Sequence, residues 1–346
     1  RFNLQIEMNQ SFFFFDLKSK AQRNRSECPI TGCKRKPVEI EGKHYCDVHG
    51  IGIHADTFTY FNGIDPASKQ KAALRNFPQG SRNFIVEHIW GNKQKAESHR
   101  LNAENSEDAL TWNVFAELHR LGLIHRIYNA MTGEQVSAGS VKLFLWGLEI
   151  NFSENSVIFW RNLKAIRDQL ERGIAKFLTE PDIVLLGPKT LVLIEAKFTS
   201  GNPLCMNKET IAGQKPKSRS GLIDRYLNPI NGVPCLLQAE DIHKDRVHSQ
   251  LIRMSIFAHW LSLECRRDWK VVNLVSSTQW GRKLRTQIGY DFFDPTRFLP
   301  ETVQSRFEFM YWEKLYTDFL VKESKALAIV EYMNKKSAKL EKAFVF

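Results

Sequence analysis

Two groups of residues in the sequence have the types and spacing that metal chemistry requires. In the first group, Asp182 opens one apolar run, and Glu195 and Lys197 close the next one. Side chains alternate along a strand, so Glu195 and Lys197 point to one side and Ala196 to the other. Two carboxylates that converge on one point repel each other unless a cation lies between them, and Mg²⁺ or Mn²⁺ suits such hard oxygen ligands. The sequence therefore predicts a divalent-cation site at Asp182 and Glu195.

The second group consists of three cysteines and a histidine in two close pairs: Cys28, Cys33, Cys46 and His49. Three thiolates and an imidazole are the number and type of ligand that a structural zinc ion takes in tetrahedral geometry. The turn at Gly32 and the short spacer before His49 resemble the ligand pairs of a treble-clef or zinc-ribbon finger. We expect such a finger at about residues 26–55, with His44 and His54 as alternative ligands. Three ordinary thiols beside a surface histidine are the alternative to a zinc site.

The elements that must position the acidic site follow from the hydrophobic pattern. Apolar residues recur at helical spacing after Ser106, a residue type that caps helices, which predicts a helix over 106–121. The β-prone runs 182–186 and 190–196, joined by a Gly-Pro-Lys turn, predict a hairpin of buried strands. Further predicted elements are a strand at 141–152, helices at 153–173 and 247–263, a strand at 270–276, and mainly helical structure from about 300 onward, with Phe307, Met310 and Leu315 on one face. The helix between the last two sheet strands suggests a βαβ crossover.

The acidic residues and the lysine carry a family resemblance. Pro181-Asp182, followed after twelve residues by Glu195-Ala196-Lys197, resembles the signature of the PD-(D/E)XK, or restriction-endonuclease-like, nuclease superfamily. The resemblance covers about residues 100–280. It implies an α/β fold with an αβββαβ core, and the predicted helices and strands follow in that order if the helix at 153–173 is an insertion.

The resemblance implies a mechanism for the four residues at the ends of the hairpin strands. Asp182 and Glu195 would hold one or two Mg²⁺ or Mn²⁺ ions, and the carbonyl of Ala196 would be a further ligand. The metal and Lys197 would activate a water for in-line attack on a phosphodiester and stabilise the charge that builds on the phosphate.

Two further site residues are implied by the same resemblance. Members of the superfamily often place another acid in the first core helix, and Glu107 matches this habit, with Asp108 as the alternative. Several branches also carry a glutamine in the helix after the lysine strand. Gln250 lies at the corresponding place in this sequence.

The composition is that of a folded protein, because 43% of the 346 residues are hydrophobic and 25% are charged. This length fits one large domain or two to three small ones. The changes of pattern predict an N-terminal module at 1–95 that carries the finger, a nuclease core at 96–280 and a helical C-terminal extension at 281–346. No apolar run approaches the length of a membrane span.

The charge balance favours a polyanionic partner. Lys and Arg total 49 against 38 Asp and Glu, which gives a formal net charge of +11. DNA is the partner expected first and RNA second, and a membrane partner is not expected. The cysteines do not form a secreted disulfide pattern, so we expect a reducing, cytoplasmic setting. The oligomeric state is left open, and a homodimer is compatible with the sequence.

Together these features predict a metal-dependent deoxyribonuclease, with Mg²⁺ or Mn²⁺ at the catalytic site and structural Zn²⁺ in the finger. Roles in restriction, phage defence and mobile-element processing are all compatible with the sequence. The alternative from another class is a non-catalytic zinc-containing protein that binds DNA or RNA, and a structural scaffold is a further alternative. An HNH nuclease is a minor alternative, since His88, Asn92 and His99 match that motif only loosely. The basic segments 215–220 and 280–285 are candidate phosphate contacts.

Overall fold

The computed structural model of the protein describes residues 17–19, 22, 26–78, 82, 84–85, 100–151, 158–173, 178–199, 236, 249–277, 299–338, 340–344 and 346. Contacts within the chain divide it into two compact units. The cysteine unit contains the described residues up to 121 together with 276–277 and 313–346, and the sheet unit contains those of 122–275 and 299–312. The C-terminal segment from 313 therefore belongs to the same unit as the cysteine cluster.

The described strands, in chain order, are β1 (Val38–Ile40), β2 (Lys43–Cys46), β3 (Ile51–Ile53), β4 (Phe58–Tyr60), β5 (Lys142–Leu145), β6 (Leu148–Glu149), β7 (Ile183–Leu186), β8 (Thr190–Ala196), β9 (Asp268–Val275), β10 (Phe307–Tyr311), β11 (Ser337–Ala338) and β12 (Glu341–Lys342). The described α-helices are α1 (Pro66–Leu74), α2 (Glu107–Arg120), α3 (Ile124–Thr132), α4 (Arg161–Leu170), α5 (Ser249–Cys265), α6 (Glu301–Gln304), α7 (Trp312–Leu315) and α8 (Leu327–Asn334). A π-helix (Tyr316–Leu320) and a 3-10 helix (Ser324–Ala326) precede α8. Within the described part of the chain, no helix is both long and apolar enough to cross a membrane. The predicted α/β class is confirmed.

The cysteine unit is built on a four-stranded antiparallel sheet in the order β1-β2-β3-β4. Its strands are short, and a small apolar core that includes Ile51, Phe58 and Tyr60 covers one side. Helix α2 begins as predicted, because the side chain of Ser106 accepts a hydrogen bond from the amide of Ala109. Helix α8 packs against α2.

A buried polar network joins the C-terminal segment to the rest of the cysteine unit. The Lys336 ammonium donates to Asn76 Oδ1 at 2.7 Å and to the main-chain carbonyl of Glu104. The Glu104 carboxylate accepts from the amide and the hydroxyl of Ser337. Burial lowers the pKa of Lys336 to about 8 and raises that of Glu104. Hydrogen bonds to both groups offset part of this cost, so the network fixes β11 within the unit.

The sheet unit is built on a six-stranded mixed sheet in the order β10-β9-β8-β7-β5-β6. The pairs from β6 to β8 are antiparallel, whereas β8–β9 and β9–β10 are parallel. Parallel neighbours need a crossover connection, and α5 lies between β8 and β9 in the chain, as the βαβ prediction required. Helices α4 and α5 cover one face of this sheet, where they pack on Leu191, Leu193 and Val271.

The close approach of Tyr128 to the turn fixes the hairpin of β7 and β8. The Tyr128 hydroxyl donates to the carbonyl of Thr190 at 3.1 Å and accepts from the amide of the same residue. A Cβ atom on Gly187 would come within 2.1 Å of the Tyr128 ring, so only glycine fits there. The predicted hairpin is therefore present, and it is held at the turn end by α3.

Three predictions of secondary structure need correction. The strand predicted at 141–152 is a hairpin of β5 and β6, because Trp146 and Gly147 both have positive φ and form a tight two-residue turn. The segment predicted as a helical face around Phe307 is strand β10. Its apolar residues also fit a strand. Pairing with β10 satisfies the backbone hydrogen-bonding groups at the edge of β9, which would lack these partners if the segment were a helix. Helix α4 is also shorter than the prediction at 153–173.

Candidate functional site

The four predicted zinc ligands converge at one point in the cysteine unit. Their ligand atoms all lie within 4.8 Å of one another. Cys33 Sγ and Cys46 Sγ are 3.8 Å apart, and His49 Nδ1 lies 3.5 Å from Cys28 Sγ and 3.3 Å from Cys46 Sγ. Ligands at the usual zinc distances, about 2.3 Å for sulfur and about 2.0 Å for nitrogen, span edges of about 3.5 to 3.8 Å in a tetrahedron. The cluster therefore has both the donor set and the size of a site that could hold a metal such as zinc.

The backbone around the cluster supports the ligands. The amide of Ile30 hydrogen-bonds to Cys28, and that of His49 hydrogen-bonds to Cys46. Arg75, which follows α1, donates from its guanidinium to the main-chain carbonyls of His49 and Gly50 at 2.9 and 2.6 Å. These contacts orient the second ligand pair from outside the cluster, as partners of metal ligands commonly do.

A hydrogen bond between Cys28 and Cys46 moves the pKa values of these two cysteines in opposite directions. A hydrogen bond with Cys28, followed by smaller contributions that include bonds from His49, lowers the pKa of Cys46 to about 5. The same hydrogen bond, together with burial, raises the pKa of Cys28. A bound cation would displace the protons of these sulfurs, because thiolates and not thiols are metal ligands.

The alternative ligands lie outside the cluster. His44 is exposed on β2, and His54 Nε2 is 3.1 Å from Thr59 Oγ1. The structure therefore places His49 beside the three cysteines and places His44 and His54 elsewhere.

In the sheet unit, Asp182 lies opposite Glu195. The register of β7 and β8 pairs Ile183 with Ile194, and continuing it by one residue pairs the two acids. Residues directly opposite each other in an antiparallel pair point to the same face of the sheet. Asp182 Oδ2 accepts the amide of Ala196 at 2.9 Å, which fixes this carboxylate beside the end of β8.

Lys197 completes the group as predicted from strand alternation. Its ammonium lies 2.7 Å from Glu195 Oε1, and both side chains are buried, with residue exposures of 8% and 4%. Removing two charges from water costs several kcal/mol per ion in a protein interior, and their attraction often does no more than offset this cost. A buried ion pair at the end of a strand is therefore poor evidence of a stabilising role. It fits a site where the charges serve chemistry.

A residue that the sequence analysis missed lies in the same row. Asn273 of β9 is paired with Glu195, and it is 2% exposed. Neighbours in register on parallel strands point to the same face, so Asp182, Glu195 and Asn273 form a polar row across three strands. The signal was present in the sequence, since this asparagine interrupts an otherwise apolar run.

A buried ion pair also supports the segment that leads to Asp182. Glu171, fully buried just after α4, pairs with Arg253 of α5 at 2.8 Å. Its carboxylate accepts both the amide and the hydroxyl of Thr179, and the carbonyl of Thr179 accepts from Arg167. These bonds tie the chain just before Pro181 to the helices that cover the sheet. No sequence pattern signalled this network.

Gln250 lies in the first turn of α5, over the same face of the sheet as Glu195. A crossover helix runs antiparallel to the strands that it joins, so its N-terminal end lies near the C-terminal end of β8. Gln250 Oε1 is buried, and among the described residues it has no hydrogen-bond partner. This places Gln250 toward the acidic end of the sheet, and its buried oxygen is available to a further group.

The predicted helix acid lies in the other compact unit. Glu107 and its alternative Asp108 form the first turn of α2, and both are half-buried. Their role at the acidic site stays a prediction. The loosely matched histidines 88 and 99, Asn92, and the basic segments 215–220 and 280–285 fall outside the described residues.

Comparison of the chain with models of protein families, with curated proteins and with solved structures found no match. The site geometry therefore carries the functional argument alone. The two candidate centres differ in kind, since one is a sulfur and nitrogen cluster and the other is a carboxylate pair with a lysine.

Proposed function

We propose that the sheet unit is a metal-dependent phosphodiesterase of the PD-(D/E)XK type that hydrolyses DNA. The observation that carries the proposal is that Asp182 accepts the amide of Ala196 at 2.9 Å, beside Glu195, whose carboxylate lies 2.7 Å from Lys197. A signature that resembles a nuclease motif in sequence thus corresponds to residues that lie together in space.

The sheet topology gives independent support. Strands β5, β7, β8 and β9 are adjacent in that order, with two antiparallel pairs followed by a parallel one. Along the chain, β5, β7 and β8 precede α5 and β9, which is the order of three strands, a helix and a strand that the resemblance implies for the core. Strands β6 and β10 would be additions at its edges.

Each of the site residues has a distinct task in the proposed reaction. Asp182 and Glu195 would hold Mg²⁺ or Mn²⁺, with the carbonyl of Ala196 as a further ligand; the bound ion would polarise the phosphate and acidify a water. The amide of Ala196 keeps the Asp182 carboxylate oriented. Lys197 supplies a positive charge to the phosphate or to the attacking water. Gln250 offers its buried amide oxygen.

The cysteine cluster has a structural role in this proposal. Zn²⁺ at Cys28, Cys33, Cys46 and His49 would hold together short strands that bury a small core. DNA would bind to the positively charged chain, with RNA as the alternative substrate, in the cytoplasm. A measurement of the oligomeric state in solution would show whether two copies of the chain associate.

A second candidate function rests on the same cluster. A zinc module on a chain with net charge +11 fits a protein that binds nucleic acid without cleaving it. In that case the Glu195–Lys197 pair would be only a buried ion pair of the sheet. The two candidates differ in whether a divalent cation at Asp182 is needed for an activity.

The deciding experiment is cleavage of plasmid DNA and of RNA by the zinc-loaded protein with Mg²⁺, with Mn²⁺ and with EDTA. We expect nicking with either cation and none in EDTA. Returning Zn²⁺ alone after EDTA should leave the protein silent, and adding Mg²⁺ should then restore cleavage, which separates the two metal sites. Undiminished cleavage in EDTA would exclude the proposed mechanism, and binding without cleavage under all conditions would favour the second candidate.

A further inference from the structure

The main chain of Lys197 lies just beyond the end of β8, yet both of its polar groups are held. Its amide donates to the carbonyl of Leu274 at 2.8 Å, which continues the parallel pairing with β9. In a regular parallel ladder, its carbonyl would accept from β9 one residue after Val275, where β9 ends. The indole of Trp312 donates to this carbonyl, with Nε1 at 3.0 Å from the Lys197 carbonyl oxygen.

Trp312 is placed for this contact by strand β10. The strand pairs with β9 as far as Tyr311 opposite Val275, and Trp312 is the next residue in the chain. Its side chain is fully buried, and its indole reaches past the end of β9 to β8. The position is therefore set by sheet register and not by a loop.

The contact matters because the proposed reaction depends on the direction in which the Lys197 side chain points. Its ammonium is 2.7 Å from Glu195 Oε1, and Lys197 is the first residue after the end of β8. A residue at the end of a strand frays more easily than one inside it, because it has lost ladder bonds. With Leu274 on the amide and Trp312 on the carbonyl, the backbone of Lys197 is clamped on both sides.

We propose that Trp312 is a positioning residue that holds Lys197 in its working orientation. The inference rests on the proposed function of the Asp182, Glu195 and Lys197 site. It extends the site to β10 and Trp312, which lie outside the segment that resembles the nuclease core. Trp312 acts through the Lys197 carbonyl and touches no reacting atom.

The test is Trp312→Phe, which keeps a buried aromatic ring and removes the indole donor. Loss of one hydrogen bond that aligns a catalytic group should lower kcat for DNA cleavage about tenfold while KM stays unchanged, since the contact orients chemistry and not substrate. Trp269→Phe is the matched control. Trp269 is equally buried in the same sheet but lies at the start of β9, far along the strand from Val275, so this variant should retain the wild-type kcat.

A double variant separates positioning from general destabilisation. In a Lys197→Ala background, adding Trp312→Phe should cause no further loss of kcat, because the group that Trp312 orients is absent. An equal loss of kcat in both backgrounds, or a wild-type kcat in Trp312→Phe, would overturn the inference while the nuclease stands. Absence of cleavage by the wild-type protein with Mg²⁺ and Mn²⁺ would instead refute the proposed function, and the inference with it.

Discussion

The cysteine cluster and the acidic site handle charge in opposite ways. At the cluster, three cysteine sulfurs and an imidazole meet with their ligand atoms within 4.8 Å, and a hydrogen bond with Cys28 lowers the pKa of Cys46. At the acidic site, the charge of Glu195 is matched by Lys197, and Asp182 accepts a main-chain amide. The cluster could hold a cation such as zinc among its ligands, whereas at the acidic site Lys197 and a main-chain amide already compensate the two carboxylates.

This difference predicts different metal behaviour. A cation that replaces the protons of the cysteine thiols contributes folding free energy. The protein should therefore retain this cation on dialysis, and the cysteine unit should depend on it for stability. A cation at a site that is already compensated should bind and leave easily, which suits a catalytic ion that is exchanged with solvent. The contrast can be tested by removing one ligand from each site.

The largest effect is expected from Cys46→Ser. Structural zinc sites contribute about 10 kcal/mol or more at neutral pH, and Cys46 contacts all three other ligands. We expect less than one zinc per chain after dialysis and rapid proteolysis within the first hundred residues. Cys265→Ser is the matched control, since this half-buried thiol lies in the sheet unit, apart from the cluster. A Cys46→Ser protein that keeps a full zinc equivalent would refute this ligand set.

The next effect in size concerns turnover. Lys197→Ala removes the charge that faces Glu195 and the phosphate, and kcat for DNA cleavage should fall at least about 10²-fold, the effect of losing one electrostatic stabiliser. Affinity for DNA should change little, because one cation among many contributes a small part of binding. Lys189→Ala, at the exposed turn of the same hairpin, should cleave like wild type. Equal kcat in Lys197→Ala and wild type would mean that Lys197 is assigned wrongly.

Local sequence patterns were sufficient to predict the parts of both sites that depend on contacts between residues close together in the chain. The cluster follows from ligand spacing, and the shared direction of Glu195 and Lys197 follows from strand alternation, which the 2.7 Å ion pair bears out. The hairpin follows from two β-prone runs around a glycine turn. In each case the residues that meet are within about twenty positions of each other or belong to one strand.

Most of the contacts that were not predicted join distant parts of the chain. Strand β10 is a strand because β9 offers it an edge, and its residues alone fit a helical face equally well. Trp312 and Lys197 are more than one hundred positions apart, and no spacing rule links them. Glu171 looks like an ordinary acid at a helix end until Arg253 and Thr179 surround it. Tertiary pairing decides such cases, and single-sequence periodicity does not contain it.

The smallest expected effect is a change in melting temperature. It reports on cation binding at the acidic site and needs no cleavage assay. Mn²⁺ should raise the melting temperature of the wild type, with zinc kept bound throughout, because an ion that binds only the folded state stabilises it by mass action. At one hundred times its dissociation constant the gain is about 2.7 kcal/mol. Asp182→Asn should lose most of this gain, since the amide oxygen is a weaker ligand than a carboxylate.

The melting temperature without Mn²⁺ makes the Asp182→Asn test specific. Asparagine can still accept the amide of Ala196 through its side-chain oxygen, so the fold should keep that contact. Removing one of two facing carboxylates also relieves repulsion, and the variant should therefore be as stable as wild type or slightly more stable when Mn²⁺ is absent. Lys197 already offsets the charge of Glu195, which limits this relief to a small shift. If wild type and Asp182→Asn melt alike at every Mn²⁺ concentration, the carboxylates hold no cation. The pair would then be a structural feature of the sheet, and the zinc-containing binding protein would be the better account.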